Sequence, residues 1–208
     1  MAEQPTPLAI ALGEESGRER PTPLSAFKLG RRWWLDGKRL NLSALANELG
    51  IGRATLMRWV GNKELFLGEI LWSLYKDVFD TAVENANRKP DLRGVDYLVH
   101  IYDEINAVLT TSEPLQHFLQ QDPEFALQVL TSGRSGMQGR LIGVWQALFD
   151  ERIARGEIAP QMDSYNLAYF IVRIGEGVVY SDLICGREPT LEPASKAFRL
   201  LLTSATGR

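Results

Sequence analysis

What this 208-residue sequence lacks narrows its chemistry before any motif is read. It has one cysteine, Cys185, so an internal disulfide and a multi-cysteine metal site are both excluded, and the apolar neighbours in "SDLIC" predict a buried, inert thiol. Its two histidines, His100 and His117, are far apart, and neither a His-x-x-x-His nor a Glu-x-x-His metal pattern is present. There is no Gly-x-Ser-x-Gly elbow, and "GNKEL" lacks the upstream glycine spacing of a phosphate loop. Catalysis, a metal and a cofactor therefore find little support. No apolar run approaches the roughly 18 residues needed to span a bilayer. The apolar patch near the N-terminus has no basic residues ahead of it, so neither a membrane anchor nor a signal peptide is expected, and the expected compartment is the cytoplasm. An alternating β pattern and an internal repeat are also missing.

What is present is helical periodicity, in a chain whose 45% hydrophobic and 24% charged residues are ordinary for a globular protein. Residues 1–20, with scattered prolines, glycines and charges, read as a flexible tail. Thr22-Pro23 starts a first helix, and Leu42, Leu45, Ala46 and Leu49 form a second barely two turns long behind the cap Asn41. A third spans about Arg53–Val60, and a fourth, capped by Asn62, runs to about Asn87. Beyond the break "NRKPDLRG" the pattern predicts a helix from about Arg93 to Leu109, two short helices opened by Pro114 and Pro123, and a long one ending near Arg155-Gly156. A markedly apolar helix through Leu167–Ile184 and a last one over about Pro193–Thr203 complete an all-α architecture of nine or ten helices.

Net charge is only −3, but its distribution is uneven. Residues 20–65 hold nine basic against three acidic side chains, whereas residues 66–208 hold thirteen against nineteen. A basic module is thus joined to an acidic body, the asymmetry expected when one small region approaches a polyanion and the rest does not. Within the module the spacing fits a helix-turn-helix. Ala46 is the small residue where the second helix passes over the first, Gly50 tolerates the positive φ of the turn, Ile51 plugs the corner and Leu56 returns to the core.

The stretch "LSALANELGIGRATLMRWVGNKELFLGEIL" resembles the DNA-binding motif of the TetR family of bacterial transcriptional regulators. Gly50, Thr55-Leu56, Trp59 and Lys63-Glu64-Leu65 carry the likeness, over about residues 24–72. "RATLMRWVG" is similar to a branch of the family associated with quorum quenching and lactone degradation. The resemblance implies an N-terminal DNA-binding domain over 21–66 and an effector-binding and dimerisation domain over 67–208. It also implies that the Arg53–Val60 helix enters a major groove. Arg53 then suits a guanine edge, and Thr55 and Lys63 suit phosphates. Trp59 packs beneath the helix or lies against a sugar or thymine methyl. Two positions depart from the family pattern: Gly52 replaces the serine that opens the recognition helix, and Met57 replaces a tyrosine and cannot donate to a phosphate, leaving Arg58 as the candidate replacement. Arg31, Arg32, Lys38 and Arg39 are candidate flanking contacts or solvated charges.

In the acidic body, the helices at 140–155 and 165–184 are the candidate homodimer interface, with Gly175 and Gly177 allowing a close crossing; family members pair their last long helices as a four-helix bundle. Candidate effector contacts are Tyr97, His100, Phe118, Phe125, Trp145 and Tyr169, together with Arg173 and Glu176, which at i, i+3 also suit a structural ion pair. The expected partners are a double-stranded palindromic DNA operator, a second copy of the chain and a small amphipathic effector such as a lactone or acyl compound, and the expected outcome is repression relieved by that effector. Two rival readings are a helical adaptor whose basic corner binds an acidic protein, and a helical enzyme.

Overall fold

A computed structural model describes residues 20–203, so all of the expected tail except Arg20 lies outside the described residues. Among the described residues are ten helices of seven or more residues. These are α1 (Pro23–Leu35), α2 (Leu42–Glu48), α3 (Arg53–Val60), α4 (Lys63–Asn87), α5 (Gly94–Thr111), α6 (Glu113–Gln121), α7 (Pro123–Thr131), α8 (Met137–Ala154), α9 (Ser164–Glu176) and α10 (Leu191–Leu202). A single 3₁₀ turn, Gly133–Ser135, joins α7 to α8. No described residue is in a strand.

The helices start where short polar side chains satisfy otherwise unpaired backbone donors. The Thr22 hydroxyl accepts from Ser25 N at 3.2 Å and the Ser25 hydroxyl from Thr22 N, a reciprocal box in front of Pro23. Asn41 Oδ1 accepts from Ser43 N at 2.9 Å, Asn62 Oδ1 from Leu65 N at 2.8 Å, and Asp163 Oδ1 from Asn166 N at 2.9 Å. Removing any one of these caps costs about 1 kcal/mol. Pro114 and Pro123 each lie in the first turn of their helix, where a missing N–H leaves no bond unmade.

The helices α1–α3 enclose a small core of Ala26, Leu29, Trp33, Leu45 and Leu56, onto which Phe66 at the start of α4 closes. The larger core of the body centres on Trp145 of α8. Its ring meets Phe79 of α4 edge-on at 5.5 Å, Phe198 of α10 at 5.8 Å and Tyr102 of α5 at 6.1 Å. The boundary expected at 66/67 falls inside α4, which runs unbroken from the small core into the large one.

At the junction, α4 is pressed against the 3₁₀ turn: a Cβ at Gly68 would lie 2.7 Å from the Ser135 carbonyl oxygen. That oxygen belongs to backbone and cannot swing aside. Gly68→Ala is therefore expected to cost about 1–3 kcal/mol, a fall in melting temperature of roughly 2–12 °C for a chain of this size. A calorimetric melt of the variant beside the wild type checks this, and an unchanged midpoint would mean that the junction is loose.

Two expectations fail at the end of the apolar helix. The regular helix stops at Glu176 and continues as a π-helical stretch, Gly177–Ser181, then one short turn, Asp182–Ile184. The chain then leaves through Gly186 at φ +68°, with Gly186 N donating to Leu183 O and Arg187 N to Asp182 O. Cys185, expected to be buried, is consequently exposed, because it sits in the closing turn and not on the apolar face. Gly175, expected to allow two copies to cross, instead faces its own α5, where a Cβ would come within 3.3 Å of Asn106 Oδ1. Gly177 is exposed, with open space around it.

Candidate nucleic-acid interface and effector cavity

The corner between α2 and α3 is fixed by backbone geometry. Gly50 takes φ +68°, a conformation unfavourable for any residue with a Cβ. It donates from its N–H to Asn47 O at 3.0 Å, while Ile51 N donates to Ala46 O at 3.0 Å. This pair of bonds closes the end of α2. Ala46 is buried at 1% exposure beneath the crossing, and Leu45 and Leu56 are sealed on either side. The geometry turns α3 outward as a short projecting rod. Gly52 caps α3 without a side-chain bond, and Gly61 at φ +73° turns the chain into α4.

On that rod the side chains divide by face. Arg53 and Arg58 are exposed, and among the described residues neither has a carboxylate partner. Thr55 is half-buried, and Met57 and Trp59 are half-buried against the core, which favours the packing alternative for Trp59. The flanking cations behave differently. Arg31 is tied to Asp77 of α4, Arg32 lies 3.5 Å from Glu48, and Lys38 lies 3.6 Å from Asp36. Lys63 is half-buried with its ammonium 4.6 Å from the centre of the Phe125 ring. Burial and the like charge of Arg39 hold it below its usual range, against a smaller opposing pull from Asp122.

The body contains a cavity of about 30 Å³ walled by α4, α5, α8 and α9, enough for a water-sized group or two. Its apolar walls include Ile105, Leu141 and Ile171, and its polar groups are Tyr75, Tyr102, Asn106, Glu176 and Tyr180. Trp145 Nε1 donates to the Tyr75 hydroxyl at 2.9 Å. The Tyr102 hydroxyl is buried without a hydrogen-bond partner among the described residues, since the Asn106 amide turns back to donate to the Tyr102 carbonyl at 2.9 Å. A buried hydroxyl left in this way costs about 1–3 kcal/mol.

The expected effector residues do not converge on one place. Trp145 and Glu176 line this cavity. Phe118 and Phe125 line a separate cleft beside the DNA-facing unit. Tyr97 packs under the Arg152 guanidinium at 3.9 Å and donates from its hydroxyl to Asn87 at 2.9 Å. His100 sits between Lys89 and Glu104 at the side of α5, and Tyr169 is exposed on α9. Sequence reasoning missed Tyr75, Tyr102, Asn106 and Tyr180. Only Asn106, a polar residue between Ile105 and Leu109 on an apolar stripe, carried a local signal.

Arg173 and Glu176 form the i, i+3 pair at 2.7 Å, closed into a ring by a third residue. Gln138 of α8 accepts from Arg173 Nη2 at 2.6 Å and donates to Glu176 Oε1 at 2.9 Å. Burial nonetheless raises the Glu176 carboxyl above its ordinary value, outweighing the pull of Arg173. With the folded value raised, the contribution of this group is most favourable below the unfolded value of about 4.5 and is lost as pH rises through the folded value. Glu176→Gln, which mimics the protonated form, is thus expected to gain stability relative to the wild type between pH 4 and 7. Thermal melts across that range test it; a difference that stays flat or shrinks contradicts the sign.

A helix-turn-helix whose second helix carries two exposed arginines without a carboxylate partner among the described residues, set on a larger helical body with an internal cavity, defines the class of one-component DNA-binding regulators. Residues 93–203, more than half of the chain, match the family model described as "Tetracyclin repressor-like, C-terminal domain". The chain therefore belongs to the TetR family of transcriptional regulators. Its fold is similar to that of the TetR-family transcriptional repressor QsdR from R. erythropolis, with 22% identity, a TM-score of 0.79, and coverage of 90% of this chain and 99% of that one. It also resembles the fatty acid degradation regulator FadR from Bacillus halodurans, with 16% identity, a TM-score of 0.54, and coverage of 92% and 100%. Among curated proteins, none matches the chain in sequence. Membership of this family makes the chain a ligand-responsive DNA-binding regulator of a dimeric type and not an enzyme. No helix among the described residues is long and apolar enough to cross a membrane.

Proposed function

We propose that this regulator is a repressor that binds a palindromic operator as a homodimer and leaves it when a small amphipathic molecule, an acyl compound or lactone, enters the body. Residues 21–66 then read DNA, and residues 67–208 bind the effector and the second copy. The observation that carries the reading is that Arg53 and Arg58, on a short helix following the Gly50 corner, are both exposed and without a carboxylate partner among the described residues. Arg53, in the first turn of α3, is suited to a guanine edge. Arg58, one turn and a half further on, is suited to a phosphate in place of the contact that Met57 cannot make.

Dimerisation is assigned to α8 and α9. Gly139, Gly143 and Ala147 form an exposed stripe of small residues along α8, and Tyr165, Tyr169 and Phe170 are exposed on α9. Small residues permit close helix crossing, and the aromatic surface beside them gains from being covered. The effector is assigned to the cavity around Tyr102 and Trp145. At about 30 Å³ it cannot admit an acyl chain or lactone without separating α9 from α5, so entry is coupled to movement of the body. The polar groups there would hold a carbonyl, and the apolar walls a short chain.

Selection of DNA from a random pool tests this reading directly, repeated with lactones and acyl compounds present. The expected product is a palindrome with half-site centres a whole number of turns apart, each about 34–36 Å, whose recovery drops with the effector. Recovery of DNA without sequence preference would instead favour a basic corner made for other polyanions.

A further inference from the structure

Between the DNA-facing unit and the body lies a cleft of about 280 Å³ that the reading above leaves unused. This is close to the lower end of the roughly 300–1,000 Å³ of small-molecule pockets. Its apolar wall is a chain of aromatic rings crossing the junction. Trp34 of α1 meets Phe118 of α6 edge-on at 5.1 Å, and Phe118 meets Phe125 of α7 edge-on at 6.1 Å. Its lining also holds three cations, Lys38 and Arg39 from the turn after α1 and Lys63 at the start of α4.

The charges in the cleft do not balance. Lys38 has Asp36 at 3.6 Å, but among the described residues Arg39 and Lys63 have no carboxylate within ion-pair distance. The one acid in the lining, Asp122, is occupied in capping α7, where it accepts from Phe125 N at 3.3 Å. Arg39 is also near enough to add to the effect of burial in disfavouring the charge of Lys63. Operator phosphates do not account for this arrangement alone. The Lys63 ammonium rests against Phe125, on the side of α4 that faces the body, and the aromatic wall is part of the body. Two cations without an ion-pair carboxylate among the described residues, beside a wall of edge-on aromatic rings, make a complementary surface for a molecule with one anionic end and one apolar end.

We propose that this cleft is a second ligand site, which takes a small organic anion: a carboxylate carried on an aryl or acyl body, held by Arg39 and Lys63 with its apolar part against Trp34 and Phe118. Arg39 and Lys63 also line the open groove that contains Arg53, Asn41 and Ser43. An anion in the cleft therefore withdraws positive charge from the DNA-facing groove and weakens operator binding, a consequence that rests on the reading of this chain as a DNA-binding regulator.

Calorimetric titration of the DNA-free protein with phenylbutyrate and octanoate, each beside its neutral amide, tests the site without relying on that reading. The expected result is saturable binding of at least one acid at one molecule per chain, with its amide at least about tenfold weaker and the affinity falling as salt rises. Arg39→Gln and Phe118→Ala should each weaken the acid by about tenfold or more, while Lys196→Gln, the loss of a surface cation on α10 away from the cleft, should leave it unchanged; circular dichroism melts establish that the variants are folded. Failure of both acids to bind, equal binding of the amides, or unchanged affinity in both Arg39→Gln and Phe118→Ala overturns the proposal. Operator titration with and without the bound acid then separates the two claims. Acid binding by a protein that selects no operator leaves the site standing and removes the regulatory reading, whereas a selective operator with no acid binding does the reverse.

Discussion

Arg53→Ala is expected to abolish base preference at one position of each half-site while leaving the protein folded. The side chain is exposed, and no described residue pairs with it, so its loss removes no intramolecular contact and stability should change by less than about 0.5 kcal/mol. A guanidinium bonding two acceptors on a guanine contributes about 1–3 kcal/mol of discrimination. Two copies on a palindrome double this to roughly 2–6 kcal/mol. Titration of the selected operator, and of versions carrying each other base at the symmetric positions, reads the effect. In the wild type one base pair should stand out at that position, and in the variant all four should bind alike. If the variant keeps the original ranking, Arg53 contacts no base, and the discriminating group lies elsewhere on α3.

Trp145→Ala is expected to produce the largest loss of stability in the molecule. Trp145 is 2% exposed and touches aromatic rings from α4, α5, α8 and α10, so its removal leaves a void bordered by four helices. It also leaves the buried Tyr75 hydroxyl without its donor. Truncations of this type cost about 3–5 kcal/mol, corresponding to roughly 6–20 °C in melting temperature. Trp145→Phe retains part of the packing but loses the N–H and part of the ring volume, so its cost should be smaller, about 1–3 kcal/mol. A calorimetric series of wild type, Phe and Ala gives both steps. If Ala were no worse than Phe, the surrounding rings would have to collapse inward, and the adjoining cavity would be a flexible space.

These two residues differ in how far the sequence alone announced them. The corner at Gly50, the caps Asn41 and Asn62 and the proline starts of α6 and α7 are local features, decided within about five residues of chain, and they were legible. Arg53 is exposed because it stands at the first position of the short α3, one turn ahead of the buried Leu56; the role assigned to it came from the family resemblance. The cavity is a different kind of object. Tyr75, Tyr102, Trp145 and Tyr180 come from four separate helices, and each reads on its own stripe as an ordinary core aromatic. Only the packing of those helices brings their polar ends together. The Arg173–Glu176 pair was legible from its spacing, whereas Gln138, which closes the ring from α8, was not. Cys185 was misread because its apolar neighbours mark a helix face, and the helix ends one residue before it. The interdomain cleft was half visible: Phe118 and Phe125 stood out as aromatic, but Lys38 and Arg39 were read as flanking DNA contacts or solvated charges, and Lys63 as a phosphate contact.

The unbroken course of α4 has a mechanical meaning. Its 25 residues extend for about 37 Å. One end carries Lys63 and Phe66 at the DNA-facing unit, and the middle carries Tyr75 at the cavity wall. A rod of that length transmits rotation with little internal give, so a pivot of about 6° sweeps its tip through roughly 4 Å, comparable to the spacing between neighbouring base pairs. On the proposed reading, a small guest lodged beside Tyr75 would have its presence reported at the far tip as a change in the distance between the two reading heads of the proposed homodimer.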